Sequence, residues 1–264
     1  MPHPVFAVPS PRLLDPGLAA GAIAIVIDQL RASTTMCHAL ASGAAALLPC
    51  STPEQARALR LDPPAYLRGL PVVLGGERQG VRIDGFDLGN SPTEYTPQAV
   101  GGRLIGFTTT NGTAAIAAVQ PHAQRVVIGC LANLSAAASV AATANLPVLL
   151  LGAGVRNELC LEDCMAIGAF ACALAERGCN LLDPSGDDFA LLCAEVYYRA
   201  AARPGGVLEG LTVSRGGRNL LSAGLAADVP VCAARDSLTV VPELDRATGV
   251  IWGQGTPNSA ADAV

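Results

Sequence analysis

The chain holds no lysine; all 17 of its basic residues are arginine. That absence excludes a Schiff-base lysine, a P-loop lysine and a lysine general base. Histidine occurs only at positions 3, 38 and 122, too sparse and scattered for a histidine phosphatase. The nine cysteines contain no Cys-x-x-Cys pair, so the tight spacing of a zinc site is missing. Their apolar settings mark them as small buried hydrophobes in a reducing compartment. Aromatic residues make up 4% and charged residues 15% of the 264, against 51% hydrophobic. A disordered chain would be polar and highly charged, so that class is excluded. Much of the apolar content is alanine, and no unbroken apolar run reaches the ~20 residues of a membrane helix. The best stretch, residues 131–151, is interrupted by Asn133, Ser135, Ser139, Thr143, Asn145 and Pro147. The net charge of −5 argues against a nucleic-acid partner, whose footprint is normally basic.

At ~150 residues per domain, the length allows one unit spanning 1–264 or two lobes of about 1–125 and 126–264. The opening MPHPVFAVPSPR lacks the basic and apolar regions of a secretory signal. Its prolines at 2, 4, 9 and 11 point to an extended arm. The expectation is a soluble cytoplasmic protein; the arm and an alanine-rich surface leave room for a homo-oligomer.

Residues 22–27, AIAIVI, read as a buried parallel strand ending at Asp28. Ser33, Thr34 or Thr35 can cap the helix that follows, to about Ala41. Further strands are expected at 44–49, 71–75, 103–107, 125–130 and 147–151. Helices are expected at 53–59, 113–119, 134–144 with Asn133 as N-cap, 162–176 and 188–202. Residues 75–92 read as a long polar loop. The tail from 213 carries short mixed elements with strands near 238–241 and 250–252, and the last ten residues read as frayed. Strands alternating with helices predict an α/β fold with a mostly parallel sheet and flanking helices. In such folds chemistry gathers beyond the carboxyl ends of the strands.

Polar clusters fall at those ends. DQLRASTT (28–35) packs a carboxylate, a guanidinium and hydroxyls at a strand-to-helix junction, a setting for a phosphate or other oxyanion. Its plainer reading is a capped helix with an Asp28–Arg31 pair. GGERQG (75–80) runs into GFDLGNSP (85–92); glycines let a backbone approach a ligand, and Glu77 and Asp87 suit a hard cation. TTTNGT (108–113) offers neutral donors, though Thr and Asn are also ordinary capping residues. GAG (152–154) precedes Glu162-Asp163, which either complement a helix dipole or turn inward to a cation. Several mechanisms drop out. Position 30 is Leu, so the Asp-x-Asp of haloacid dehalogenases is absent; neither Cys50 nor Cys172 is followed by arginine at the Cys-x5-Arg spacing of a thiol phosphatase, and no Gly-x-Ser-x-Gly elbow occurs. His38 falls on an apolar helix and reads as core or interface.

Taken together, IDQLRASTT, GER-x-G…GFDLGNSP, TTTNGT and GAG…LEDCMAIGA resemble the ComB family, the 2-phosphosulfolactate phosphatases of coenzyme M biosynthesis. A weaker match is SRGGRNLLSAGLAADVPVCA at 214–233, and the matching blocks span roughly 23–242. The resemblance implies a family-specific α/β fold and a Mg²⁺-dependent hydrolase turning (2R)-2-phospho-3-sulfolactate into 3-sulfolactate and phosphate. The chain departs from the family at Gln29, where an aliphatic residue is usual, and at Ala114, where a basic one is. Laid on the clusters, this reading makes Asp28, Glu77 and Asp163 the metal carboxylates, with Glu162 and Asp87 in reserve. Arg31 and Arg78 join Asp28 and Glu77 as the catalytic set, holding anionic groups through planar guanidinium contacts. Ser33, Thr34, Asn90, Ser91, Thr109, Thr110, Asn111 and Gly112 are the expected substrate contacts. The partner is a small anionic phosphoester. Two other readings stay open: hydrolysis of another small phosphorylated hydroxy acid, and anion binding without turnover.

Overall fold

The computed structural model describes residues 3–156, 158–182 and 188–253. The strands are β1 (Val5–Val8), β2 (Ile23–Ile27), β3 (Ala46–Pro49), β4 (Val72–Arg78), β5 (Val81–Arg82), β6 (Leu104–Thr108), β7 (Arg125–Ile128), β8 (Val148–Gly152), β9 (Pro242–Leu244) and β10 (Ile251–Gly253). The helices are α1 (Pro16–Ala19), α2 (Ala32–Ala41), α3 (Pro53–Ala58), α4 (Pro97–Val100), α5 (Gly112–Val119), α6 (Leu134–Thr143), α7 (Leu161–Ala175), α8 (Phe189–Ala201), α9 (Gly206–Val213), α10 (Arg215–Ser222) and α11 (Asp228–Ala233).

All five residues of β2 are buried because both faces of the strand are covered. Ile23, Ile25 and Ile27 face one way, against Phe170, Leu134 and Leu211 of the α6–α9 layer. Ala24 and Val26 face the other way, with Met36 of α2 and Ile116 of α5. This is why the strand reads as an unbroken apolar run instead of alternating. The α7 helix is buried almost all round, and a Cβ at Gly168 would stand 2.0 Å from the Cys193 carbonyl of α8. Only glycine permits that crossing.

The strands form one sheet in the order β1-β8-β2-β7-β9-β10-β3-β6-β4-β5. Two parallel blocks, β1-β8-β2-β7 and β3-β6-β4, are joined by the antiparallel pair β9–β10. The α/β, mostly parallel expectation therefore holds. A cut near residue 125 does not follow the sheet, since β2 lies between β7 and β8. In a flat sheet the two blocks would point their carboxyl ends opposite ways. Twist of roughly 20–25° per strand step turns them toward each other, and the segments after β2 and β6 meet.

The N-terminal arm is extended, as expected, and is docked: residues 5–8 pair in parallel with β8 and are buried. Two expectations need correcting. The GGER segment is not loop but the end of β4, which pairs antiparallel with β5. Gly76 has φ +147°, and a Cβ there would lie 2.0 Å from the Thr108 carbonyl, so the glycines serve close strand approach. The tail holds helices α9–α11, and its first strand sits at 242–244, not 238–241. The frayed last ten residues lie outside the described ones. Among the described residues no helix is long and apolar enough to cross a membrane.

Candidate active site

Asp28 follows the last residue of β2. Its backbone N–H donates to Ser33 Oγ (2.9 Å), Ser33 Oγ donates to the Val26 carbonyl (3.2 Å), and Thr34 Oγ1 donates to the Gln29 carbonyl (3.2 Å). Both hydroxyls, expected as substrate donors, are thus engaged in building the start of α2 and are fully buried. The Asp28 carboxylate accepts from the Ala32 N–H through Oδ1. Oδ2 faces Gly112, where an added Cβ would come within 2.9 Å of it and 2.6 Å of Ala32 Cβ. Gly112 is accordingly a wall of the site, as close to Asp28 as backbone can stand.

Four carboxylates from three segments surround this point. Asp28, Glu77, Glu162 and Asp163 are 9%, 7%, 2% and 3% exposed. Burial, then the charges of Asp163, Glu77 and Glu162, push the Asp28 carboxyl up to about 8 against the Ala32 hydrogen bond. Burial and Glu162 push Asp163 up to about 6, opposed by N–H donors from Gln29 and Gly154. No arginine stands among the leading influences on either acid. The four are not equivalent. Asp163 accepts from Gln29 N (2.9 Å), Gly154 N (3.0 Å) and Cys160 Sγ (3.2 Å), tying the loops after β2 and β8 together. Glu77 accepts from Thr110 N (2.8 Å) and Gly80 N (2.6 Å), tying β4 to the loop after β6. Glu162 accepts from Gly216 N at Oε1 (3.1 Å), but its Oε2 is buried without a partner. An orphaned carboxylate oxygen of this kind calls for a cation or a proton. Among the described residues no three acid, histidine or cysteine side chains form a ready-made metal cage. Mg²⁺ commonly takes only one or two carboxylates and keeps its waters. An all-oxygen donor set with Glu162 Oε2 and Asp28 Oδ2 uncommitted fits such an ion.

Arg31 does not pair with Asp28. Its Nη1 donates to Asp228 Oδ2 (2.5 Å), 197 residues away, in an ion pair with both side chains under 5% exposed. Asp228 Oδ1 accepts from Ser91 Oγ (2.5 Å). Thr35 Oγ1 donates to the Asn90 carbonyl (3.0 Å), while Asn90 Oδ1 is buried without a partner. The Gly89–Ser91 turn is thereby held against the start of α2. Arg78 donates to Thr108 Oγ1 (2.9 Å) and to the carbonyls of Glu77 and Ser51, beside the end of β6. Thr109 and Thr113 bond each other across the first turn of α5, so Thr109 is a capping residue. Thr110 is exposed and offers Glu77 its N–H; Asn111, half-buried, makes no side-chain cap bond. Asp87 lies outside the group: it binds Leu74 N (2.8 Å) and Arg60. Asn133 stands at the N-cap position of α6 as expected, but its side chain makes no cap bond there and binds Cys130 N, Ile128 O and Val240 O.

Sequence reasoning missed Asp228, Gly216 and the role of Gln29. Gln29 is fully buried; its amide donates to Cys232 O (2.7 Å) and accepts from Leu131 N (3.0 Å). The available signal for Asp228 was a lone acid inside the apolar stretch LAADVPVCAA, since buried charges are rarely unpaired. A cavity of about 330 Å³ lies nearby, lined by Ser51, Gln55, Thr113, Gln120 and Thr248 among others, but by none of the four carboxylates.

Fold and site define an α/β protein whose acidic, oxygen-donor site draws on the carboxyl ends of β2, β4, β6 and β8. Residues 9–247 match the family model described as 2-phosphosulpholactate phosphatase. A "Probable 2-phosphosulfolactate phosphatase" of Symbiobacterium thermophilum is 38% identical over 225 residues, 84% of this chain and 91% of the relative. A protein of the same name from Deinococcus radiodurans is 39% identical over 223 residues (84% and 87%), and one from Synechococcus sp. RCC307 is 38% identical over 233 (87% and 91%). The chain belongs to the 2-phosphosulfolactate phosphatase family, a family of phosphoric monoester hydrolases.

Proposed function

We propose that this protein hydrolyses (2R)-2-phospho-3-sulfolactate to 3-sulfolactate and phosphate with Mg²⁺ bound at Asp28 and Glu162. The observation that carries the metal is the pairing of an orphaned Glu162 Oε2 with an Asp28 pushed up to about 8 by its neighbours. A bound Mg²⁺ would polarise phosphoryl oxygens and lower the pKa of a coordinated water. Glu77 and Asp163 act by tying the loops that frame the site. Arg31 and Arg78 hold the substrate's acidic groups, and the Asn90 amide contacts its polar atoms. Phosphoryl transfer asks mainly for such positioning and charge stabilisation. A reducing, cytoplasmic setting and a place in coenzyme M biosynthesis go with this reading; nine free cysteines support the former.

Phosphate release from a panel of phosphorylated hydroxy acids tests it. Activity should vanish with EDTA, return with Mg²⁺, and be greatest on the sulfonated substrate. Full activity in metal-stripped protein would remove the cation from the reading; a preference for another phosphorylated acid would change the substrate.

Apart from Cys160, whose Sγ donates to Asp163, the cysteines stand outside this chemistry. Seven are buried and only Cys172 and Cys179 are half-buried. Burial raises the thiol pKa of Cys50 to about 11 and raises that of Cys179 as well. Alkylation of the native protein should therefore modify Cys172 and Cys179 at most and spare turnover. Rapid inactivation tracking one modified cysteine, with the fold intact, would contradict this.

A further inference from the structure

Asp228 belongs to no cluster that the sequence singled out as chemical, yet it is among the best-buried charges of the molecule, at 2% exposure. It opens α11 and accepts two bonds of 2.5 Å, from Arg31 Nη1 and Ser91 Oγ. Those donors come from the two segments that face the carboxylates, the α2 start and the Gly89–Ser91 turn. Its mount is stiff. The Gln29 amide donates to the Cys232 carbonyl (2.7 Å), so α11 is also fastened to the loop between β2 and α2. The turn carrying Ser91 is fastened by Thr35 and by Tyr95, whose hydroxyl donates to the Gly89 carbonyl (2.8 Å). A buried ion pair is a weak source of stability, because apolar side chains of similar volume serve as well. A directional one fixes geometry. With Nη1 on Asp228, the Arg31 guanidinium makes no other hydrogen bond among the described residues, and its Nη2 and Nε stay available. Asn90 Oδ1, next to Ser91, is a buried acceptor without a donor, which anionic oxygens cannot supply, so at this corner it is the Arg31 edge that offers donors to an anion.

We propose that Asp228 is a positioning residue: it aims the free edge of the Arg31 guanidinium at the anionic substrate. This rests on the phosphoester-hydrolase reading. Asp228 also neutralises part of the Arg31 charge, so that product phosphate leaves.

The test compares Asp228→Asn and Asp228→Glu with the unaltered protein. The readouts are kcat and KM for phosphate release with Mg²⁺, and calorimetric binding of inorganic phosphate. Asparagine keeps the shape and an acceptor but removes the counter-charge. Phosphate should bind several-fold tighter while kcat falls ~10–100-fold, because a misplacement near 1 Å costs up to ~10²-fold. Glutamate keeps the charge but displaces the guanidinium; kcat should fall with no gain in phosphate affinity. Arg125→Ala is the control. It breaks the Arg125–Glu243 pair at the start of β7, away from the strand ends that form the site, and should leave both readouts within twofold. Unchanged kcat and phosphate affinity in a folded Asp228→Asn would overturn the proposal, as would a loss of thermal stability alone. Should the asparagine variant not fold, Asp228→Glu decides: reduced kcat at unaltered phosphate affinity supports the proposal, and unchanged kcat overturns it. If the unaltered protein releases no phosphate from any ester, the hydrolase reading fails, and phosphate binding by the variants still judges Asp228.

Discussion

Arg31→Ala should lower kcat/KM by ~10²–10³-fold, the usual effect of removing one preorganised donor to developing charge. The expectation for a surface pair with Asp28 would be a stability change of ~0–1 kcal/mol and little else. The structure replaces that comparison. Arg31 is paired with a buried Asp228, and removing one partner of a buried pair costs about 3–5 kcal/mol by leaving the other charge uncompensated. A fall in activity alone is therefore not diagnostic. The double variant Arg31→Met, Asp228→Leu separates the two effects. Replacing both charges with apolar side chains should recover most of the stability and none of the rate. Arg31→Lys should rescue poorly, because an ammonium cannot occupy Asp228 and a ligand through one planar fork. Thermal unfolding beside kcat/KM for all three variants makes the measurement. A wild-type rate in folded Arg31→Ala would move the anion contact to Arg78.

The second large effect is on stability as a function of pH. Asp28 and Asp163, ordinarily near 3.8, stand at about 8 and about 6 in the folded chain. The native state then binds more protons than the unfolded chain between those limits, so stability falls as pH rises. The contribution is complete below the unfolded value. It is lost first through about 6 and then through about 8. At about 1.4 kcal/mol per unit, the total is on the order of several kcal/mol. A divalent cation would take the place of the protons. In EDTA the midpoint of thermal unfolding should drop steeply between pH 5 and pH 9. Added Mg²⁺ should restore it at pH 9 and change little at pH 5, where protons already neutralise the site. Asp28→Asn should flatten the alkaline limb. A midpoint independent of pH and of Mg²⁺ would contradict both the carboxylate cluster and the cation.

The legible part of the fold was the part whose signal is local. Residues 22–27 and 147–151 are continuous apolar runs because both faces are covered, and such runs look like buried strands in any context. The long helices α6, α7 and α8 were legible within a residue or two at either end. The segments read incompletely or wrongly are those whose structure depends on a distant partner. Residues 5–8 carry the prolines of an arm on either side, but β8 recruits them as a strand. Gly75-Gly76 has the composition of a turn, yet glycine there admits the Thr108 carbonyl and the Tyr95 hydroxyl. The short α9–α11 helices are held by packing, with little propensity of their own.

The same division runs through the site. Composition and motif order pointed to the chemistry: oxygen donors and arginines, no lysine, and polar clusters after β2, β4, β6 and β8. Spacing along the chain could not say which groups remain uncommitted. Ser33 and Thr34 are consumed by their own turn, Glu77 and Asp163 by the N–H groups of neighbouring loops, and Asp87 by Arg60 and β4. Of the four carboxylates at the site, only Asp28 and Glu162 keep an oxygen without a donor among the described residues. Arg31 sits three residues from Asp28 in sequence, but its charge is answered by Asp228. Sheet order, not chain order, brings α11 against the start of α2. A buried hydrogen bond is formed by whichever groups the packing places within about 3 Å, and that distance belongs to the tertiary structure.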